Sequence, residues 1–397
     1  MTNTKRLVPE LRFPEFSREW EKRKLKDIAK FQNGKAHEKL VSISGDFVLV
    51  NSKFISTNTQ VKKFVSQQLT PLNKEDIAIV MSDIPNGKAL AKCFLVNENN
   101  KYTLNQRIGR IYDISGDSRF LYAILNRNTQ LLKYDNGVGQ TNLKKSEITH
   151  IVLKCPINDE QKKIGDFFSK LDRQIELEEE KLELLEQQKR GYMQKIFSQE
   201  LQFKDKVTNN FDNWSEFKIK DIFSKIESGN RLPKSNLLDG DIPYVIAQTT
   251  NNGVYMNISK DTLDYHGNNL KKFKKGSITI SIDNPDAMFI QTHDFVTSNV
   301  MRVLYNENLS IEAHTFILYS LRKLTQTYNW SVKFSGPIIM DSKIKLPVKL
   351  NTNDIDWNIV NKIGEFLTKL DFKIYQNTTK VELLKQRKQG LLQKMFV

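Results

Sequence analysis

Two stretches of the chain place apolar residues at alternating steps of four and three. The first carries Ile164, Phe168, Leu171, Ile175, Leu182, Leu185, Tyr192 and Ile196. The second carries Ile363, Leu367, Leu370, Ile374, Val381, Leu384, Leu391 and Met395. That spacing is the seam of a coiled coil, narrower than the stripe of an ordinary surface helix. Each seam is broken by polar residues at the same two rungs, Glu178 and Lys189 in one, Asn377 and Lys388 in the other. Polar residues at seam positions fix register and partner number at some cost in stability. No proline interrupts either run, so the pattern predicts two long helices, over residues 159–200 and 353–397.

The remaining segments, 1–158 and 201–352, follow a different rhythm. Short β-branched runs bounded by Gly, Asn, Asp and Pro predict strands: Asp46-Phe47-Val48-Leu49-Val50, Asp76 to Met81 and His150 to Leu153 in the first segment, Ser277 to Ile282 and Asn299 to Leu304 in the second. Each segment also holds a helical run near its end, from Arg119 to Leu125 and from Glu312 to Leu318. The expected fold class is α+β, with two such domains and two long helices.

These parts are copies. Trp20, the Leu25-Lys26-Asp27-Ile28 that follows and Gly34 return as Trp214, Ile219-Lys220-Asp221-Ile222 and Gly229. Lys163-Ile164-Gly165-Asp166-Phe167 through Gln194-Lys195-Ile196-Phe197 aligns without a gap on Lys362-Ile363-Gly364-Glu365-Phe366 through Gln393-Lys394-Met395-Phe396, and roughly half of the positions are identical. Between the matched segments the halves diverge almost completely.

Charge narrows the class of partner. Sixty-one Lys and Arg against 46 Asp and Glu leave +15 over 397 residues, and the lysines are interleaved with apolar residues, so a folded surface carries the field toward a polyanion. Two cysteines, Cys93 and Cys155, make no disulfide framework, which fits a reducing cytoplasm; no apolar run reaches the roughly 20 residues of a membrane span. Phosphate-loop, dinucleotide, zinc-protease and nucleophile-elbow motifs are absent, and the five histidines stand singly as surface or partly packed residues. Asn284-Pro285-Asp286 reads as a turn. No residue is assigned a catalytic or metal-ligating role.

Binding chemistry concentrates in loops. Lys35 follows Gly34; Ser82, Asn86 and Lys88 share one loop, and Gln140, Thr141, Asn142, Lys144 and Lys145 another. The second half offers Arg231 and Lys234, Gln248 and Asn251, and Lys333. Amide side chains read adenine edges in the major groove, while cations and backbone N–H groups hold phosphates.

The duplicated pattern of variable domain and matched helix, with Arg12-Phe13-Pro14-Glu15-Phe16 at its start and Gly240-Asp241-Ile242-Pro243-Tyr244 in its second half, resembles the specificity subunits of type I restriction–modification systems. Pro156-Ile157-Asn158-Asp159-Glu160-Gln161 is similar to that family's entry to its helix; Asn353-Asp354-Ile355-Asp356-Trp357 departs from it. The resemblance implies two target-recognition domains, each binding one half of a split double-stranded DNA sequence. It implies helices that act as spacer and as docking surface for two methyltransferase subunits. S-adenosylmethionine would belong to those partners, ATP and magnesium to restriction subunits, and no cofactor to this chain. Internal duplication favours antiparallel helices, since parallel ones would put both domains at one end. A helix of about 36 residues is roughly 54 Å long, which spans about 16 base pairs. The competing reading is a self-contained methyltransferase or nuclease with an unrecognised site.

Overall fold

The computed structural model describes residues 8–84, 88–135, 137–201, 203, 213–349 and 352–396. The chain divides into two units, one of residues 1–180 with 378–397 and one of residues 181–377. The long helices run Asn158–Phe197 and Trp357–Met395, and each contributes residues to both units. No helix among the described residues is long and apolar enough to cross a membrane.

Both units follow one plan. In the first, an antiparallel sheet orders Lys30–Asn33, Ile108–Tyr112, Ile77–Val80 and Cys93–Leu95. In the second, Glu227–Ser228, Met301–Leu304, Ile278–Ser281 and Met288–Ile290 take the same places. The central strands Ile77–Val80 and Ile278–Ser281 are buried throughout; the first is a continuous apolar run, while in the second Thr279 Oγ1 donates to Phe289 O and Ser281 Oγ accepts from the N–H groups of Asp283 and Asn284. A further sheet in each unit contains one parallel pair, Phe47–Val50 with Tyr102–Leu104 and Asp239–Val245 with Phe295–Thr297. The expected strand from His150 appears as Val152–Cys155, because a short helix, Lys145–Thr149, occupies the preceding residues and His150 N–H still donates to Ser146 O at 3.0 Å.

The repeated motifs close each unit. Glu21–Lys24 pairs with Val152–Cys155, and Asn213–Lys218 with Lys343–Val348. The next residue is tied back in both, Leu25 N–H to Ile151 O at 3.1 Å and Ile219 N–H to Ser342 O at 3.0 Å. Asp27 and Asp221 then accept from the backbone N–H of Lys24 and Lys218, so the shared Lys-Asp-Ile is a capped turn. Trp20 is buried against Phe120 and Phe396, and Trp214 packs on Phe316 and Phe197. Gly34 and Gly229 allow close backbone contact: a Cβ there would lie 2.0 Å from Asn105 O and 1.7 Å from Thr297 O.

The helices pair antiparallel. In the first unit Asp172 meets Lys388, Glu178 meets Lys380, and Leu171, Ile175, Leu384 and Leu391 form an apolar cluster. In the second unit Lys189 meets Asp371, whose other oxygen accepts from Tyr319 Oη at 2.6 Å, and the Tyr192 ring stands edge-on to Phe366 at 5.1 Å. Val381 and Asn377 are buried, while Leu182, Leu185 and Ile374 are half-buried. The seam's outer rungs serve a second purpose. Ile164, Phe168 and Met395 lie in the core of the first unit, and Ile196, Ile363 and Leu367 in that of the second. Gly165 and Gly364 let each helix approach its own domain, since a Cβ would sit 2.4 Å from Asp117 Oδ1 or 1.9 Å from Glu312 O.

The two helix entries differ for a reason visible in the packing. Glu160 is fully buried, accepts two hydrogen bonds of 2.7 Å from the Arg12 guanidinium and one of 3.3 Å from Trp20 Nε1. Gln161 accepts from Asp117 N–H at 3.2 Å and donates to Pro156 O at 2.8 Å. In the second entry the equivalent positions are Ile359 and Val360, both buried in an apolar core, and Asp356 caps the helix by accepting from the N–H groups of Asn358 and Ile359. One copy thus uses a buried ion pair where the other uses hydrocarbon. Removing one member of such a pair leaves a buried charge unpaired, whereas replacing both with apolar residues is often neutral. Arg12→Ala should therefore cost about 3–5 kcal/mol in urea unfolding, while Arg12→Met combined with Glu160→Leu should recover most of that loss.

Candidate nucleic-acid interface

In the first unit the fold joins two loops that are some sixty residues apart in sequence. Ser82–Asp83 and Thr141–Asn142 form an antiparallel ladder, with Asp83 opposite Thr141 and Ser82 opposite Asn142. Leu143 N–H extends it by donating to Met81 O at 2.7 Å. The Asp83 carboxylate accepts from the N–H groups of Ile84, Ala89 and Leu90 at 2.7–3.0 Å and so holds both ends of its loop. Gln140 Nε2 donates to the buried Ser82 Oγ at 2.6 Å, and Thr141 Oγ1 to Asp135 at 3.3 Å. Gln140, Asn142, Lys88, Lys144 and Lys145 are exposed around this ladder. Asn86 lies outside the described residues. Lys35, also exposed, stands elsewhere in the unit, bridged to Asn105 beyond the strand Lys30–Asn33.

The second unit distributes its candidates over three places. Arg231 stacks its guanidinium 4.5 Å from the centre of the Tyr265 ring, and Tyr265 N–H donates to Arg231 O at 2.8 Å; exposed Lys234 begins the next turn. Asp264 supports this corner by accepting from Asn268 N–H, Asn230 Nδ2 and His266 N–H, and the backbone N–H of Asn268 leads in holding its carboxyl below the usual range. Gln248 and Asn251 share a turn, and both side-chain amides donate to Val254 O, at 2.6 and 3.1 Å. Their NH₂ groups shape that turn. Lys333 is exposed, 3.7 Å from Asp283. Its loop is tied by Phe334 N–H to Ile282 O at 2.8 Å, the counterpart of Leu143 to Met81, and Asn284 caps the facing turn by accepting from Asp286 N–H.

Sequence reasoning passed over a basic corner of the second unit. Four lysines surround Phe273; Lys271 is engaged by Glu227 and Lys274 lies over the Tyr305 ring, while Lys272 borders a cavity of about 370 Å³ with Lys260, Asn269, Ile242, Ile258 and Val296. The run Lys271-Lys272-Phe273-Lys274-Lys275 was the available signal. Among the described residues no group of three or more His, Cys, Asp or Glu side chains is arranged to hold a metal ion. The buried His314 donates through Nδ1 to Ser310 O and accepts at Nε2 from Asn306 N–H, and burial lowers its pKa, so it is a neutral structural residue.

Comparison with known proteins decides the family. The model of the type I restriction modification DNA specificity domain matches twice, over residues 17–187 and 212–385. The chain belongs to this family. Each match covers one α+β domain and most of the helix that follows it. Among individual specificity-domain proteins, the chain is 28% identical over 173 residues to the type II restriction enzyme specificity subunit S.BcgI of Heyndrickxia coagulans, covering 43% of this chain and 47% of that one. It is 22% identical over 241 residues to the type I restriction enzyme MjaVIII specificity subunit of Methanocaldococcus jannaschii, covering 58% and 55%. The chain thus spans about half the length of these relatives. The crystal structure of a type I restriction–modification S subunit from M. genitalium has the same fold, with a TM-score of 0.70 at 17% identity, over 98% of this chain and 99% of that one.

The ladder of the first unit brings together cations that suit phosphates and amides that suit base edges. Lys144→Ala with Lys145→Ala should lower the salt dependence of DNA binding by about one unit of slope for every phosphate no longer neutralised. Gln140→Ala should leave the slope in place and relax base preference, as read by competition between duplexes across a salt series.

Proposed function

We propose that this chain is the DNA-reading subunit of a restriction–modification complex, with one half-site of a split sequence assigned to each unit. The observation that carries this is the repeat itself: two specificity-domain matches fall on two units with the same sheet order, the same capped turn and the same helix, while their exposed loops share almost no sequence. A duplicated frame with divergent loops is what two different readings require, because phosphate contacts add across both units and base contacts specify within each. The surplus of 15 positive charges supplies the sequence-independent part of binding.

The chain reads and its partners react. Methyltransferase subunits, two of them, would dock on the spacer helices and bring S-adenosylmethionine; restriction subunits would bring ATP and magnesium, all in the cytoplasm. The purified chain then transfers no methyl group and cuts no DNA by itself. Exchanging residues of roughly 15 to 155 for the first domain of another family member, followed by methylome sequencing of the host, should change one half-site and leave the other intact. A change in both halves, or in neither, contradicts the assignment of one reader to each unit.

A further inference from the structure

Two of the most exposed apolar side chains in the first unit belong to the loops joined by the Ser82–Asp83 ladder. Ile84 is 68% exposed and follows directly on Asp83, which pairs with Thr141; Val138 is 85% exposed and lies two residues before Gln140. Folding has therefore left two branched apolar side chains where hydrogen-bonding groups would be expected on a solvated loop. The cause is not poor anchoring. Ile84 N–H is bonded to the Asp83 carboxylate, Gln140 is bonded to Ser82, and Asp135 accepts from both Gly137 N–H and Thr141 Oγ1. These hydrogen bonds tie down the described ends of both loops. Around them stand Gln140 and Asn142, which suit adenine edges, and Lys88, Lys144 and Lys145, which suit phosphates.

We propose that Ile84 and Val138 are specificity-determining residues that read the C5-methyl group of thymine in the major groove. The occupant is argued from the neighbours: cations and amides at the same edge fit a nucleic acid, and the one apolar feature that a base pair shows in the major groove is the thymine methyl. An adenine read by an amide always carries that methyl on the opposite strand, so polar and apolar readers are complementary parts of one A·T contact. Burying one methyl group removes enough apolar surface from water to change affinity by about fourfold. The inference rests on the first unit being a DNA reader and adds which base feature its tips recognise.

The test uses the full chain in complex with its methyltransferase partner and duplexes of the methylome-mapped site, in which each thymine of the first unit's half-site is replaced singly by deoxyuridine. Wild type should lose about fourfold in affinity at one or two positions. Ile84→Ala or Val138→Ala should bind the thymine duplex correspondingly more weakly and lose that thymine–uracil difference, while Ile43→Ala, fully exposed on a serine-flanked turn, should keep it. Melting temperatures of both loop variants should match wild type, since neither side chain is buried. Three results would overturn the proposal: a wild type indifferent to uracil while still binding its site, loop variants that retain the full difference, or a half-site of G·C pairs alone. The first of these leaves the two-reader assignment standing, because that assignment is decided by domain exchange.

Discussion

The structure depends on a lysine–aspartate contact that occurs twice across the helix seam. Asp172 and Lys388 meet in one unit, Lys189 and Asp371 in the other. In sequence these residues belong to two separate repeated signatures, the Lys-Leu-Asp near each helix start and the Lys-x-Gly near each helix end. In three dimensions the signatures are two sides of one contact. Antiparallel pairing matches each aspartate with the other helix's lysine. Parallel pairing would place Lys189 against Lys388 and Asp172 against Asp371, like charges facing each other at two rungs. The polar breaks therefore select direction as well as register. The apolar rungs by themselves would permit either.

From that constraint the rest of each unit follows. Antiparallel helices give each domain the start of its own helix and the end of the other, so both cores are completed by residues from the far half of the chain. Met395 and Phe396 pack beneath Trp20 and Phe168, as Ile196 and Phe197 do beneath Phe316. The N-terminal segment takes part in this closure: Leu11 N–H donates to Lys394 O at 2.9 Å, as Leu201 N–H does to Lys195 O in the other unit. Such a frame tolerates wide change in the exposed loops, because the stabilising contacts lie in the matched segments.

What was legible in the sequence divides along the same line. Period and repeat are local or self-similar signals, and the helices and the α+β class could be read from them. The pairing of Ser82–Asp83 with Thr141–Asn142 was not, because it depends on sheet order rather than on either loop's composition; each loop carries the same chemistry, and topology joins them. Gln248 and Asn251 show the opposite limit. Their residue types suit base reading, but composition does not reveal that their amides hold the turn around Val254. The exchange of Glu160-Gln161 for Ile359-Val360 looked like a missing motif and is a change from polar to apolar anchoring at the same position.

Charge reversal shows whether the lysine–aspartate pairs fix the antiparallel seam. Asp172→Lys and Lys388→Asp, made singly and together, should be compared by equilibrium unfolding at low salt. Each single reversal places like charges at a half-buried rung and should destabilise the chain; the double variant restores attraction and should recover most of the stability, with a coupling of about 1 kcal/mol or more. Effects that simply add in the double variant would show that this contact does not set the pairing.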